Sequence, residues 1–274
     1  MLIISNHLKF QFIIKQTVTL TTFILFLLVI SSQAQNVSIR FHYLGHSSFL
    51  IVFDDEISIL TDYGKPNAWV EYGWNSPIYD IGDFTPTIVT YSHLHADHFD
   101  STRIPKEVKY ILKKSDTLNI NYITIKSILT SENDLKLKNN TSYLFNYKGL
   151  EVLHLGDCQA NIINIDSVEN RKYIESNIPF SCDIVLLPIE STSKFIPQVE
   201  KFIELIHPKV VIPMHYWSDD YKLEFLKYTE EKAISEKKKY RTLKLDCAEY
   251  IYTKSERNDS IFIVDMERSK LISK

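Results

Sequence analysis

Tyr91-Ser-His-Leu-His-Ala-Asp-His-Phe-Asp100 is the stretch on which the reading of this chain turns. Within it, His93, His95, Asp97 and His98 place four candidate metal donors in six consecutive positions. Three imidazoles and a carboxylate this close repel or crowd on protonation, whereas a divalent cation takes the mixture at about 2.0 to 2.2 Å. The residues just before, Thr87-Ile-Val-Thr-Tyr91, are β-branched and read as a buried strand. The donors therefore fall on a loop at a strand end, where His93 and His95 can turn to one cation while Asp97 and His98 face another.

Outward from this run the chain alternates strand and helix patterns. Residues 37–44 and 48–53 read as strands joined by a Gly-containing turn, and 57–60 as a third. Residues 64–86 are rich in Trp, Tyr, Asn, Asp and Pro without periodicity, and loops of that length in compact domains usually carry function. Residues 123–129 are strand-like, Asn139-Asn140 reads as a turn, and 141–147 and 150–155 flank Lys148-Gly149 as a hairpin. Residues 184–189 form an apolar strand. Ile196, Val199, Phe202, Ile203 and Ile206 then recur at helical spacing up to His207-Pro208. Residues 210–213 return as strand, and 221–233 predict a helix with Leu223, Leu226 and Ala233 facing inward. Residues 241–252 and 260–264 close the second half with strands. Strand groups in both halves, with helices between and after them, suit two sheets packed face to face with helices outside.

Composition agrees with one α/β unit. A chain of 274 residues, 45% hydrophobic and 24% charged, can bury a single sizeable core. The net charge is -3 and the basic residues are scattered, so the stripe of a nucleic-acid binder is missing. Lys237-Lys238-Lys239 ends a mixed-sign run that reads as a solvated helix end.

The first forty residues differ from the rest. No acidic residue precedes Asp54, Lys9 and Lys15 carry positive charge, and Phe23-Ile-Leu-Phe-Leu-Leu-Val-Ile30 runs into Ser31-Ser-Gln-Ala34. This is the layout of a secretory signal cut after Ala34, which divides the chain into a leader, 1–34, and a mature domain, 35–274, outside the cytoplasm or in the periplasm. The apolar run is shorter than the roughly 20 residues of a spanning helix, so a retained membrane anchor is the secondary reading. Cys158, Cys182 and Cys247 are odd in number, so at least one is unpaired within the chain. Cys158 reads as a small buried hydrophobe beside Asp157.

The His93–His98 run resembles the signature of the metallo-β-lactamase superfamily, and four further segments match that pattern in order. Leu44-Gly-His-Ser-Ser-Phe-Leu-Ile51 resembles the opening strand pair of its lactonase-like branch, which includes ascorbate-6-phosphate lactonases. Thr61-Asp62 resembles the acidic end of the next strand, His154-Leu-Gly-Asp157 the segment with the bridging carboxylate, and Ile212-Pro-Met-His-Tyr216 the one with the last histidine. The resemblance covers residues 37–216 and implies a four-layer αββα sandwich with the site at the strand ends between the sheets.

It also implies a donor set. One metal takes His93 and His95, the other takes Asp97, His98 and His215, and Asp157 bridges them. Zn²⁺ is the expected ion, as one or two equivalents, and the share of carboxylate keeps Mn²⁺ and Fe²⁺ open. Asp97 is the expected catalytic residue, both binding metal and holding the proton of the attacking water. Asp62 is expected to support a ligand histidine, with a turn-forming Asp as the plain alternative. His46 either faces substrate or is a hydrogen-bonded turn histidine. His154 reads as a core histidine or a support for a ligand, and His42 and His207 as structural.

Two departures from the family pattern stand out. No histidine occurs between His98 and His154, where the third donor of the first metal should fall, and Glu190-Ser191 replaces a Gly-Gly frequent in relatives. Glu132, in Thr130-Ser-Glu-Asn-Asp134, either stands in for the missing histidine or is a solvated turn residue, in which case a single metal suffices. The sequence thus predicts a secreted metal-dependent hydrolase of a small ester, lactone or phosphoester. The alternative is a metal-binding protein of the same fold with little catalysis. A nuclease role lacks a basic groove. The aromatic loop at 69–79 points to an apolar or ring-bearing substrate.

Overall fold

The computed structural model describes residues 37–113, 117–132, 134, 136–158, 164–190, 195–254 and 259–271. The expected leader and its cleavage point lie outside these residues.

Strands β1 (Ser38–Gly45), β2 (Ser48–Phe53) and β3 (Ile57–Thr61) form an antiparallel run in which inward side chains meet directly. Ile39 faces Phe53, Phe41 faces Ile51 and Tyr43 faces Phe49, all at 1% exposure or less. Such cross-strand pairs of aromatic and β-branched residues are what hold a sheet in register. β4 (Ile88–Thr90) and β5 (Tyr110–Leu112) extend the sheet in parallel from β3. The second sheet holds β6 (Thr117–Ile120), β7 (Ile123–Thr130), β8 (Asn140–Tyr147) and β9 (Leu150–His154) as an antiparallel meander. It continues in parallel through β10 (Ile184–Pro188), β11 (Val210–Met214), β14 (Ile261–Asp265) and β12 (Tyr240–Lys244). β10 and β11 are buried at every position, as central parallel strands covered on both faces must be.

Among the described residues, three helices make the crossovers: α1 (Val168–Asn177), α2 (Ile196–Ile206) and α3 (Asp219–Ser235). Ser167 and Ser218 cap α1 and α3 by accepting a backbone N–H from Asn170 and Asp220. α2 ends on His207 in the left-handed region, with Pro208 blocking continuation. One core joins the inner faces of the two sheets, the sandwich the sequence predicts. Leu44, Leu60, Tyr63, Ile78, Ile81 and Val89 form a smaller cluster in which the long loop after β3 packs on the first sheet. No helix among the described residues is long and apolar enough to cross a membrane.

The structure corrects several expectations. The strand read over 241–252 breaks at residues 245–248. Its first part is β12, but its second is β13 (Glu249–Thr253), which leaves the second sheet and pairs antiparallel with β1 in the first. Alternation of side chains cannot tell which sheet edge a strand will join. Leu223 is 56% exposed, and the buried face of α3 is Lys222, Phe225, Leu226 and Thr229, so Leu223 lies one helical step beyond its border. Asn140 opens β8 rather than a turn. β5, β6 and α1 escape the sequence reading because they are short or polar; α1 buries only Ile174.

Candidate metal centre

The donors come from the ends of six elements at one edge of the sandwich. His46 follows β1 where the β1–β2 register shifts between Tyr43 and Gly45, and Asp62 follows β3. Residues 93–98 follow β4, Glu132 follows β7, Asp157 follows β9 and His215 follows β11. Carboxyl ends of strands are where open α/β sheets leave a crevice for ligands. His46, Asp62 and His215 all have φ between 42° and 52°, the left-handed region that non-glycine residues avoid. Strain of about 1–3 kcal/mol at each is the kind held by surrounding structure at functional sites.

Glycines let the loops close on each other. A Cβ on Gly64 would stand 2.1 Å from the backbone carbon of Asp97, so the donor loop lies directly on that residue. Gly156, at φ 61°, does the same for the Asp157 loop, where a Cβ would stand 2.4 Å from Ser92 Cβ. Asn140 then ties neighbouring loops together. Its Oδ1 accepts the Asp157 N–H at 3.0 Å while its Nδ2 donates to Thr130 Oγ1 at 2.6 Å.

Behind the donors, three side chains set the tautomers. Asp62 Oδ2 accepts from His98 Nδ1 at 2.9 Å and from the Ser92 hydroxyl at 2.9 Å, and Ser92 Oγ in turn accepts from His93 Nδ1 at 3.0 Å. Glu190 Oε2 lies 2.8 Å from His215 Nδ1. With each Nδ1 turned outward, the three Nε2 atoms point to the interior, the arrangement of metal-bound histidines backed by carboxylates. His98 Nε2 and His215 Nε2 face one another at 3.1 Å. Such a pair shares a proton, and a bound cation would take that proton's place.

His93 Nε2 lies 3.4 Å from Glu132 Oε1, and His95 Nδ1 lies 3.9 Å from the same oxygen. Asp157 Oδ1 is 3.4 Å from His215 Nε2, and an Asp157 oxygen also groups with His93 and His98. His46, Asp97, His98 and His215 group likewise, with His46 Nε2 donating to Asp97 Oδ2 at 3.1 Å. The donors thus gather in two neighbouring sets with Asp157 between them.

The electrostatics favour bound positive charge. Burial, then the neighbouring His98, hold the His93 pKa down at about 2, and burial and His215 hold His46 at about 3, so both stay neutral. Burial opposes the Asp62 carboxylate, yet His98 and the Ser92 N–H keep its pKa at about 2. Burial lowers the His215 pKa, but Asp157 and Glu190 outweigh it and carry it well above the ordinary range. Burial also pushes the Asp157 carboxyl upward. His93 Nε2, Asp97 Oδ1 and Asp157 Oδ1 are buried without a hydrogen-bond partner. Atoms of this kind are costly unless something binds them, and nitrogen and carboxylate donors are what a divalent transition metal takes. The residues fit such an ion.

Around the centre the surface is aromatic. Trp217 packs on His46 with ring centroids 4.6 Å apart and donates its indole N–H to Glu190 at 2.7 Å. A cavity of about 430 Å³ opens on the other side, lined by Tyr91, His93, Leu94, His95, Lys113 and Glu132.

Measured against the sequence, the structure brings His93, His95, Asp97, His98, Asp157 and His215 together. Glu132 is 7% exposed and meets His93, so the solvated-turn reading is corrected: the loop after β7 is pulled inward where Asn139 Oδ1 accepts the Ser131 hydroxyl at 2.6 Å and the Glu132 N–H at 3.2 Å. Asp62 sits behind His98. His46 has no exposed surface, so it backs Asp97 rather than facing substrate. His154 stays outside the donor groups and engages Ser47 O at 3.0 Å. His42 bonds the backbone at Ser269 and Lys270, Cys158 is buried, and all three cysteines are unpaired. The roles of Ser92, Asn140 and Trp217 went unread, since a serine beside a histidine, an Asn pair and a lone Trp carry no pattern. Glu190 was visible only as a departure.

Comparison with known proteins bears on the same region. The family model described as the beta-lactamase superfamily domain matches residues 40–215. A curated relative, the UPF0173 metal-dependent hydrolase of Thermococcus kodakarensis, is 24% identical over 208 residues, which is 65% of this chain and 84% of that protein. Among solved structures, a Thermotoga maritima protein described as a Zn-dependent hydrolase of the metallo-β-lactamase superfamily superposes with TM-score 0.56 at 20% identity, over 85% of this chain and 100% of that one. A Parabacteroides distasonis protein described as a metal-dependent hydrolase gives TM-score 0.51 at 18% identity, over 73% and 90%.

Proposed function

The chain belongs to the beta-lactamase superfamily, and on that premise we propose that it is a metal-dependent hydrolase acting on a small ester, lactone or phosphoester outside the cytoplasm. The observation that carries the reading is the inward set of Nε2 atoms and unpartnered carboxylate oxygens at the strand ends. The curated relative's description as a metal-dependent hydrolase supports it. His93, His95 and Glu132 would hold one ion, Asp97, His98 and His215 a second, and Asp157 would bridge. Bound there, the ions would lower the pKa of a water toward neutrality and polarise the bond to be cleaved. A set with three carboxylates suits Zn²⁺ and leaves Mn²⁺ and Fe²⁺ open.

The chain's own residues do the rest. His46 occupies Asp97 Oδ2, leaving Oδ1 as the oxygen that can hold the proton of the attacking water. Asp62 and Glu190 hold the His98 and His215 rings with Nδ1 outward and Nε2 toward the interior. His95 has 54% of its side chain exposed and marks the open side from which substrate arrives. Export rests on the leader pattern of residues 1–34, and N-terminal sequencing of the protein from its native cell tests it, with Gln35 expected and an intact Met1 in the cytoplasm overturning it.

For the chemistry, Asp97→Ala should remove most turnover on ester, lactone and phosphodiester substrates, and His215→Ala should also lower the bound metal. Unchanged rate and stoichiometry in both variants would refute the site. Full metal content with no turnover on any of the three classes would favour the metal-binding reading instead.

A further inference from the structure

Four rings continue outward from the metal centre as an arc whose two ends rest on donors. Trp69 meets His95 edge-on with centroids 6.2 Å apart. Tyr72 follows at 6.1 Å from Trp69, Trp74 at 6.4 Å from Tyr72, and Trp217 at 5.3 Å from Trp74. Trp217 then closes on His215 at 5.6 Å. Tyr72 and Trp74 are 65% and 49% exposed and contribute nothing to either core cluster. Exposed rings gathered at one place, rather than scattered singly, mark a binding surface.

The arc is held in shape. Asn67 N–H donates to Ser76 O at 2.9 Å, closing the loop at its base. Within it Val70–Tyr72 makes a 3₁₀ turn that ends on Gly73 at φ 83°, and Trp74 N–H returns to Trp69 O at 3.3 Å. On the far side Glu190 fixes the Trp217 indole. A wall pre-set in this way loses little entropy when a flat group stacks on it.

Charge narrows the ligand further. Asp62, Asp97, Glu132, Asp157 and Glu190 all lie in or directly behind the donor groups and Lys113 lines the adjoining cavity, so two bound divalent cations would bring the site to about neutrality. A doubly charged phosphoester finds no surplus positive charge there to offset its desolvation, whereas an uncharged carbonyl compound needs none.

We propose that Trp69, Tyr72, Trp74 and Trp217 form the substrate-binding wall and take the ring-bearing, apolar part of a neutral carboxylic ester or lactone. This rests on the hydrolase reading and names its substrate class. Water adds to the acyl carbon, the acyl–oxygen bond breaks, and the two water hydrogens end on the carboxylic acid and the alcohol.

The test compares 2-naphthyl acetate, ethyl acetate and 2-naphthyl phosphate on the metal-loaded protein and on Tyr72→Ala and Trp74→Ala. Wild type should prefer the naphthyl acetate to both others. Each variant should lower the naphthyl-to-ethyl ratio of kcat/KM by about tenfold, the scale of one aromatic contact with its buried area. Preference for the phosphate, or an unchanged ratio in both variants, overturns the proposal. Equilibrium dialysis with 2-acetylnaphthalene, which is not hydrolysed, separates this from failure of the hydrolase reading. Binding that weakens in the variants supports the wall even without turnover, whereas no binding to wild type, or equal binding to all three proteins, overturns it.

Discussion

Glu190 Oε2 stands 2.8 Å from His215 Nδ1, and the other oxygen of the same carboxylate accepts the Trp217 indole N–H at 2.7 Å. One side chain thus orients a candidate metal donor and one end of the aromatic arc. His215, with its φ of 52°, leaves the end of β11 in a strained conformation, and the carboxylate gives that strain a compensating contact.

Glu190→Gln tests this coupling. The amide keeps the size but has a single acceptor oxygen, so it cannot serve His215 and Trp217 together. Metal affinity should fall by about 10- to 100-fold, measured by competition with a chromophoric chelator, and the tryptophan emission should shift. Affinity and emission both equal to wild type would remove Glu190 from this role.

Glu132→Ala addresses the carboxylate that meets His93 at 3.4 Å. Titration should show two tight metal equivalents in wild type and one in the variant. Glu132→His should restore the second equivalent and move preference toward Zn²⁺, because imidazole is the softer donor. Identical titrations for wild type and Glu132→Ala would mean that Glu132 binds no metal.

Gly64→Ala removes no donor and should still impair the site. Its methyl would stand 2.1 Å from the Asp97 backbone carbon and 2.5 Å from the His98 N, atoms that cannot swing aside. Bound metal and turnover should both drop at least tenfold at an unchanged far-ultraviolet circular dichroism spectrum. Full activity in Gly64→Ala would show that the loop can shift without cost.

Asp54 provides a pH signature remote from the site. It accepts Ser38 N–H at 2.8 Å and Lys148 Nζ at 2.8 Å, joining the β2–β3 turn to the β8–β9 turn. Burial would raise its pKa, but the Lys148 hydrogen bond and the Ser38 N–H bring it below the ordinary 3.8. A depressed carboxylate pKa contributes stability above the unfolded-state value and loses it as pH falls through the folded one. Asp54→Asn, which tolerates the local φ of 48°, should lower Tm by about 2–4 °C at pH 7 and by less below pH 3.8. An equal deficit at both pH values would contradict the charged contact.

The donor run and most strands were legible in one dimension, and Asp157 and His215 through the family resemblance of their segments. Donor density within six residues and side-chain periodicity are local properties that survive without a fold. The pairing of Glu132 with His93, the relay from Asp62 through Ser92, the hold of Glu190 on His215 and Trp217, and the passage of β13 into the first sheet were decided by the tertiary structure alone. Each joins residues distant in sequence or turns on which of two sheet edges a strand reaches, and such contacts follow from how two twisted sheets close over one core. A carboxylate in a loop reads the same whether it ends in solvent or 3.4 Å from an imidazole; packing makes the difference.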